Sequence, residues 1–110
     1  MQKYSDEDWE LFRNKYPEWI ERYMGKIIAS YQEILDTDTT ASNKFWTLEQ
    51  HIHQDRRSAG AILPFRMTRG NMLYNLKALL RDGVIGMEEL DGFSLAFRRE
   101  LSREMKEHLW

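Results

Sequence analysis

Along most of the chain apolar side chains recur every three to four residues, the period that lines one side of an α-helix. A first helix opens at Ser5, a hydroxyl cap followed by Asp6, Glu7 and Asp8 where the positive end of the helix dipole favours acids. Trp9, Leu11 and Phe12 form its apolar side, and Pro17 predicts a stop near Tyr16, because proline disfavours helical geometry in the residue before it. A second helix follows from Glu18 to about Leu35. Its apolar positions run from Trp19 and Ile20 through Tyr23, Ile27 and Tyr31 to Ile34 and Leu35, and at about 100° per residue they cover roughly half the circumference. A sector that broad predicts a central helix packed by several others, with Glu18 and Arg22 placed to pair on its polar side.

The polar stretch from Asp36 to Asn43 reads as a loop feeding a third helix from Thr40 or Ser42, with Ala41, Phe45, Leu48 and Ile52 as its stripe and an end by Ser58. Ala59 to Met67 has no helical period and carries Gly60 and Pro64, so it reads as an apolar loop. Thr68 caps a fourth helix with Met72, Leu73, Leu76, Leu79 and Leu80 on one side, and Gly83 stands where a left-handed residue ends a helix. A short turn over Met87 to Leu90, closed by Asp91 and Gly92, precedes a last helix opening near Ser94 and lined by Phe93, Phe97, Leu101, Met105 and Leu109. The expected fold is all-α: a compact single-domain bundle of five to six helices over 1–110, with the second helix central and the fourth and last packed on it.

Composition supports helices over sheet. There is one valine, Val84, against twelve leucines and six methionines, while pleated sheets favour branched residues. The 110 residues allow about one domain, and 42% hydrophobic with 31% charged content describes a globular chain rather than a disordered one. No uninterrupted apolar window suggests a membrane span, and no basic-then-apolar leader opens the chain. The absence of cysteine excludes disulfides, thiolate metal sites and cysteine nucleophiles, which fits a cytoplasmic setting.

Two strings resemble metal motifs. His51-Ile-His53-Gln-Asp55-Arg56 resembles, over those six residues, the HxHxDH signature of metallo-β-lactamase-fold hydrolases, with Arg56 in place of the last histidine. On a helix, however, His51 and His53 stand about 200° apart, and His51 with Asp55 supplies two ligands where zinc takes three or four. Asp36-Thr-Asp38-Thr-Thr40 resembles the start of an EF-hand loop, but Ala41 occupies the position that needs glycine and Thr47 the one that needs glutamate. No Gly-x-Ser-x-Gly elbow, phosphate-binding glycine loop or His-Glu-x-x-His is present, so a non-enzymatic protein without metal or cofactor is expected.

Charge distribution alters that picture. The formal net charge is −2, yet residues 1–38 carry nine acids and five bases, 39–82 three acids and seven bases, and 83–110 six acids and four bases. Two functions compete for the basic middle. In the first, a protein partner or self-association uses the charge contrast for encounter and the loop's apolar residues as anchors, through Arg56, Arg57, Ile62, Leu63, Phe65, Arg66 and Arg69. Trp46 and Trp110 are further candidate anchors. In the second, the fourth helix reads nucleic acid with Asn71, Tyr74, Asn75, Ala78 and Arg81 on the side opposite its leucines, while Arg66 and Arg69 hold phosphates and Arg99, Arg103 and Lys106 extend the patch. A loop of about ten residues between the third and fourth helices is too long for a helix-turn-helix, which uses three or four, and a pI near 5.9 is low for a nucleic-acid binder. The expected function is therefore a small protein-binding adaptor or regulator, with nucleic-acid binding as the alternative.

Overall fold

The computed structural model describes residues 4–107. It is all-α, with four α-helices: α1 (Asp6–Leu35), α2 (Ala41–Asp55), α3 (Met72–Arg81) and α4 (Leu95–Glu107). Single 3-10 turns at Arg69–Asn71 and Met87–Leu90 lead into α3 and towards α4. The expected class holds, but the five to six helices become four because the first two are one.

The 30-residue α1 runs straight through Pro17. Proline there removes one backbone hydrogen bond, that of the Arg13 carbonyl, and costs roughly 3 kcal/mol in a helix interior. Pro17 itself is exposed, whereas Phe12, Tyr16 and Trp19 fall on one side and form a row with Trp9, their ring centroids 5.9–6.1 Å from Phe12. The row packs on both sides of the proline, and its burial outweighs the local preference for a break.

α3 holds the centre of the molecule. Met72, Leu73, Leu76 and Leu79 are fully buried, against Phe12 and Trp19 of α1, Phe93, Phe97 and Leu101 around α4, and Val84, Ile85 and Leu90 between. This corrects the expectation of a central 18–35 segment: beyond Tyr23 that half of α1 packs only alongside α2, and neither Ile28 nor Leu35 is covered. No residue of α2 is buried, and Phe45 and Ile52 of its apolar stripe lie on the surface. The result is an elongated molecule of 58 × 27 × 24 Å, a core with a two-helix arm.

The helix ends follow short-range rules. Ser5 Oγ accepts from Asp8 N at 3.1 Å, Thr40 Oγ1 from Asn43 N at 3.1 Å and Thr68 Oγ1 from Asn71 N at 3.3 Å, each satisfying a free donor of a first turn. Gly83 has φ of +72°, and Val84 N donates to Leu79 O while Gly83 N donates to Leu80 O, a paired closure that needs a left-handed residue.

Long-range polar contacts join the elements. The buried Asp8 carboxylate accepts from Ser94 N and Oγ at 2.8 and 2.6 Å, and Ser94 Oγ in turn caps α4 at Phe97 N. Glu89 accepts from Trp19 Nε1 at 3.1 Å and from Arg22 at 2.5 Å, so Arg22 pairs with Glu89, 67 residues on, rather than with Glu18. In the arm, Tyr31 Oη donates to Asp55 at 2.5 Å and Tyr23 Oη to Ser58 at 3.0 Å.

Burial, then the Asp55 carboxylate accepting its proton, pushes the Tyr31 phenol up to about 12. A proton bound more tightly in the folded chain stabilises it fully below about pH 10, and that contribution is lost as pH rises through about 12. In urea denaturation, the stability advantage of the wild type over Tyr31→Phe is expected to shrink between about pH 9 and about pH 11.5. An advantage of the same size at both values would show that the contact is not coupled to protonation.

Candidate protein-binding surface

The segment 56–68, between α2 and α3, has no regular structure, yet side chains of α3 and its ends hold its backbone. At its start, Ala59 N donates to the Asp82 carboxylate at 2.8 Å and Gly60 N to Ser58 Oγ at 3.0 Å. Gly60 lies flat on α1: a β-carbon there would come within 2.3 Å of the Tyr23 ring, so no larger residue fits. Further along, Asn75 Oδ1 accepts from Phe65 N at 3.2 Å, and Asn75 Nδ2 and Asn71 Nδ2 both donate to Arg66 O. Arg81 beside Asp82 holds that carboxyl below its usual range, with the Ala59 N–H adding to the effect and partial burial opposing it.

On this pinned backbone large apolar side chains point outwards. Ile62 is 66% exposed, Phe65 50% and Met67 36%, while Leu63 turns in and packs on the core. Phe65 lies 5.5 Å from the exposed Tyr74 ring, and the Lys77 amine stands over that ring at 5.5 Å from its centroid. Arg56, Arg57, Ile62, Leu63, Pro64 and Arg81 border a shallow groove of about 240 Å³. The structure thus brings together Arg56, Arg57, Ile62 and Leu63 in one groove, and Phe65 and Arg66 lie on the segment that continues from it. Arg69 is apart: it turns to Asp6 at the start of α1, with 21% of its side chain exposed.

The residues expected to read nucleic acid are dispersed. Asn75 is fully buried and Ala78 is 3% exposed, because α3 is packed on almost every side and has no open polar side. Both are corrections of the wheel drawn from the leucines alone. Asn71 is bonded to Arg66 O, Arg69 to Asp6, and Arg81 to Asp82, leaving Tyr74 and Arg66 as the exposed members whose polar ends face solvent. Arg99, Arg103 and Lys106 do share one flank of α4, joined by Arg98 along a groove that no basic residue of 56–81 borders.

His51 and His53 are both exposed on α2, Asp55 is taken by Tyr31, and among the described residues no group of three or more His, Cys, Asp or Glu could hold a metal ion. The Asp36–Thr40 stretch is the turn between α1 and α2. Among the described residues no helix is long and apolar enough to cross a membrane, α1 having the length but not the apolarity. His108, Leu109 and Trp110 lie outside the described residues.

A second exposed apolar area surrounds Trp46, one of the further anchors expected from the sequence. Phe45 is 59% and Trp46 62% exposed, stacked edge to face at 4.8 Å, and Ile28, Leu35 and Ile52 are also open. Its signal was the breadth of the 18–35 apolar sector, more than one neighbouring helix covers. Comparison with protein-family models, with curated proteins and with solved structures returns no match for this chain.

Proposed function

We propose that this chain is a non-enzymatic protein-binding domain, an adaptor or regulator that takes an acidic, apolar segment of a partner protein on the face formed by Ile62 and Phe65 with Arg56, Arg57 and Arg66. The observation that carries this is the combination of outward apolar side chains with an anchored backbone. Leaving Ile62 and Phe65 in water is unfavourable, and a loop free to fold would turn them inwards. Here Asn75 and Asp82 hold the loop so that they stay out, and a surface ordered before encounter loses little conformational entropy on binding. The arginines draw an acidic segment and set its register, while Ile62 and Phe65 supply the contact area. Arg69, tied to Asp6, supports the loop's end rather than the partner. Nucleic-acid reading by α3 has less support, because Asn75 is taken up inside the molecule and the remaining candidates are divided among separate contacts.

A photo-crosslinking residue at Ile62, introduced into the protein in its source cells, identifies the partner. Titration of that purified partner is expected to weaken at least about tenfold for Phe65→Asp, roughly 1.4 kcal/mol, and to weaken with added salt. Equal affinity for Phe65→Asp and wild type, or crosslinks to nucleic acid alone, would overturn the reading.

A further inference from the structure

The arm's uncovered face has a regular spacing. Met24, Ile28, Tyr31 and Leu35 on α1, and Ala41, Phe45, Leu48 and Ile52 on α2, each step by four, three and four residues, the repeat that seats one helix against another. Tyr31, through Asp55, ties the edge of the α1 row to α2, while Ile28, Leu35, Phe45 and Ile52 remain exposed. On α1, Ile28 and Leu35 stand about 40–60° round from Tyr31, which meets Asp55, and on α2, Phe45 and Ile52 stand about 60–80° round from Asp55. The rotation has the same sense on two antiparallel helices, so both rows turn to one side of the arm. A groove of about 270 Å³ runs there along α2, bordered by Phe45, Leu48, Glu49, Ile52, His53 and Arg56.

We infer that this face binds a second copy of the chain, the two arms stacking antiparallel about a two-fold axis to close a four-helix bundle. Area and charge both favour that occupant. Ile28, Leu35, Phe45 and Ile52, 38–59% exposed, offer on the order of 350 Å² of apolar surface, and with Trp46, stacked on Phe45 at the edge, and the polar rim this approaches the roughly 800 Å² each partner gives to a stable interface. The end of the arm is acidic, with Glu33, Asp36 and Asp38 all exposed, whereas Arg56 stands at its base on the border of the groove. None of these four is in an ion pair with another described residue. Antiparallel stacking sets the acidic end of each arm over the basic base of the other, and the two-fold axis makes the match twice. Each apolar row also meets its own reverse, as a two-fold interface requires. The broad apolar sector of 18–35 is then covered on one side by α2 and on the other by the second copy. This face shares Arg56 with the partner surface proposed above, but Ile62 and Phe65 take no part in it, and Ile28→Asp and Phe45→Asp test it without touching that surface.

Sedimentation equilibrium tests it. The wild type is expected to dimerise below roughly 100 µM, and Ile28→Asp and Phe45→Asp are each expected to raise the dimer Kd at least about tenfold. Both side chains are exposed, so circular dichroism unchanged from wild type confirms the fold in each variant. At low salt, Asp38→Lys and Arg56→Glu are each expected to weaken the dimer, and the two combined in one chain to recover it to within about threefold of wild type. A wild type that stays monomeric at roughly 100 µM, or a dimer untouched by Ile28→Asp and Phe45→Asp, would overturn the interface. Failure of the combined charge reversal to recover a weakened dimer would overturn the antiparallel arrangement.

Discussion

Replacing Trp19 by alanine is expected to destabilise the protein by about 3–5 kcal/mol, the range for emptying a large aromatic site in a core. Trp19 is 1% exposed, its ring lies 6.1 Å from Phe12, and its Nε1 donates to Glu89. Three effects combine. Burial of the indole is lost, a cavity opens between α1 and α3, and Glu89 loses the Trp19 Nε1 donor, keeping Arg22 as its partner on α1. Against a total stability of about 5–15 kcal/mol for a domain of this kind, the variant would stand near the edge of folding. Trp19→Phe separates the contributions: most of the ring remains and only the hydrogen bond goes, so a loss nearer 1–2 kcal/mol is expected. Urea denaturation with an unchanged m-value measures both. A loss for Trp19→Ala under about 1.5 kcal/mol would mean that the aromatic row is not what carries α1 through Pro17.

Asn75→Ala is expected to cost about 2–4 kcal/mol, and its local effect is more telling than the total. Asn75 is fully buried and holds two loop peptides, accepting from Phe65 N and donating to Arg66 O. Without it, Phe65 N loses its acceptor, while Arg66 O retains Asn71. Amide exchange at Phe65 should accelerate by at least about tenfold more than exchange in α4, because the segment 59–67 opens before the whole molecule does. Asn75→Asp retains the acceptor, lacks the donor and buries a charge, so it should be the more damaging of the two. Uniform acceleration across the chain would show that Asn75 contributes to the core in general and does not hold the loop in place. If it does hold the loop, partner binding at Ile62 and Phe65 should weaken in Asn75→Ala although Asn75 touches no partner.

Much of the local structure was legible along the chain. Ser5, Thr40 and Thr68 cap where their spacing predicts, Gly83 ends α3 in the left-handed region, and Met87–Leu90 forms its short turn. These features rest on contacts within three to five residues, so the sequence neighbourhood holds all the partners they need. The apolar loop was legible too, with the arginines beside it. Which of its side chains face water was not, since that depends on Asn75 and Asp82, ten and more residues away, pulling the backbone down at two points.

The errors have the same origin in reverse. A proline rule based on one lost hydrogen bond stops α1 at Tyr16, but the aromatic row is buried by α3 and α4, which lie far along the chain. The polar sector drawn for α3 includes Asn75, yet Asn75 stands only about 40° from Leu79 and 60° from Met72, so it is enclosed with them, and of that sector Tyr74 and Arg81 are what stays open. The expectation of a central 18–35 segment reads the breadth of an apolar sector correctly and assigns it to the wrong neighbours.

Composition, helix period and caps settle the class of this protein and where most of its helices begin and end, because those are properties of short stretches and the water around them. The arrangement that leaves Ile62, Phe65, Phe45 and Trp46 in solvent, seals Asn75 inside and ties Asp8 to Ser94 across 86 residues depends on which surfaces meet. That is a choice among competing burials of similar strength, made by the whole chain folding together, and no window of the sequence contains both sides of it.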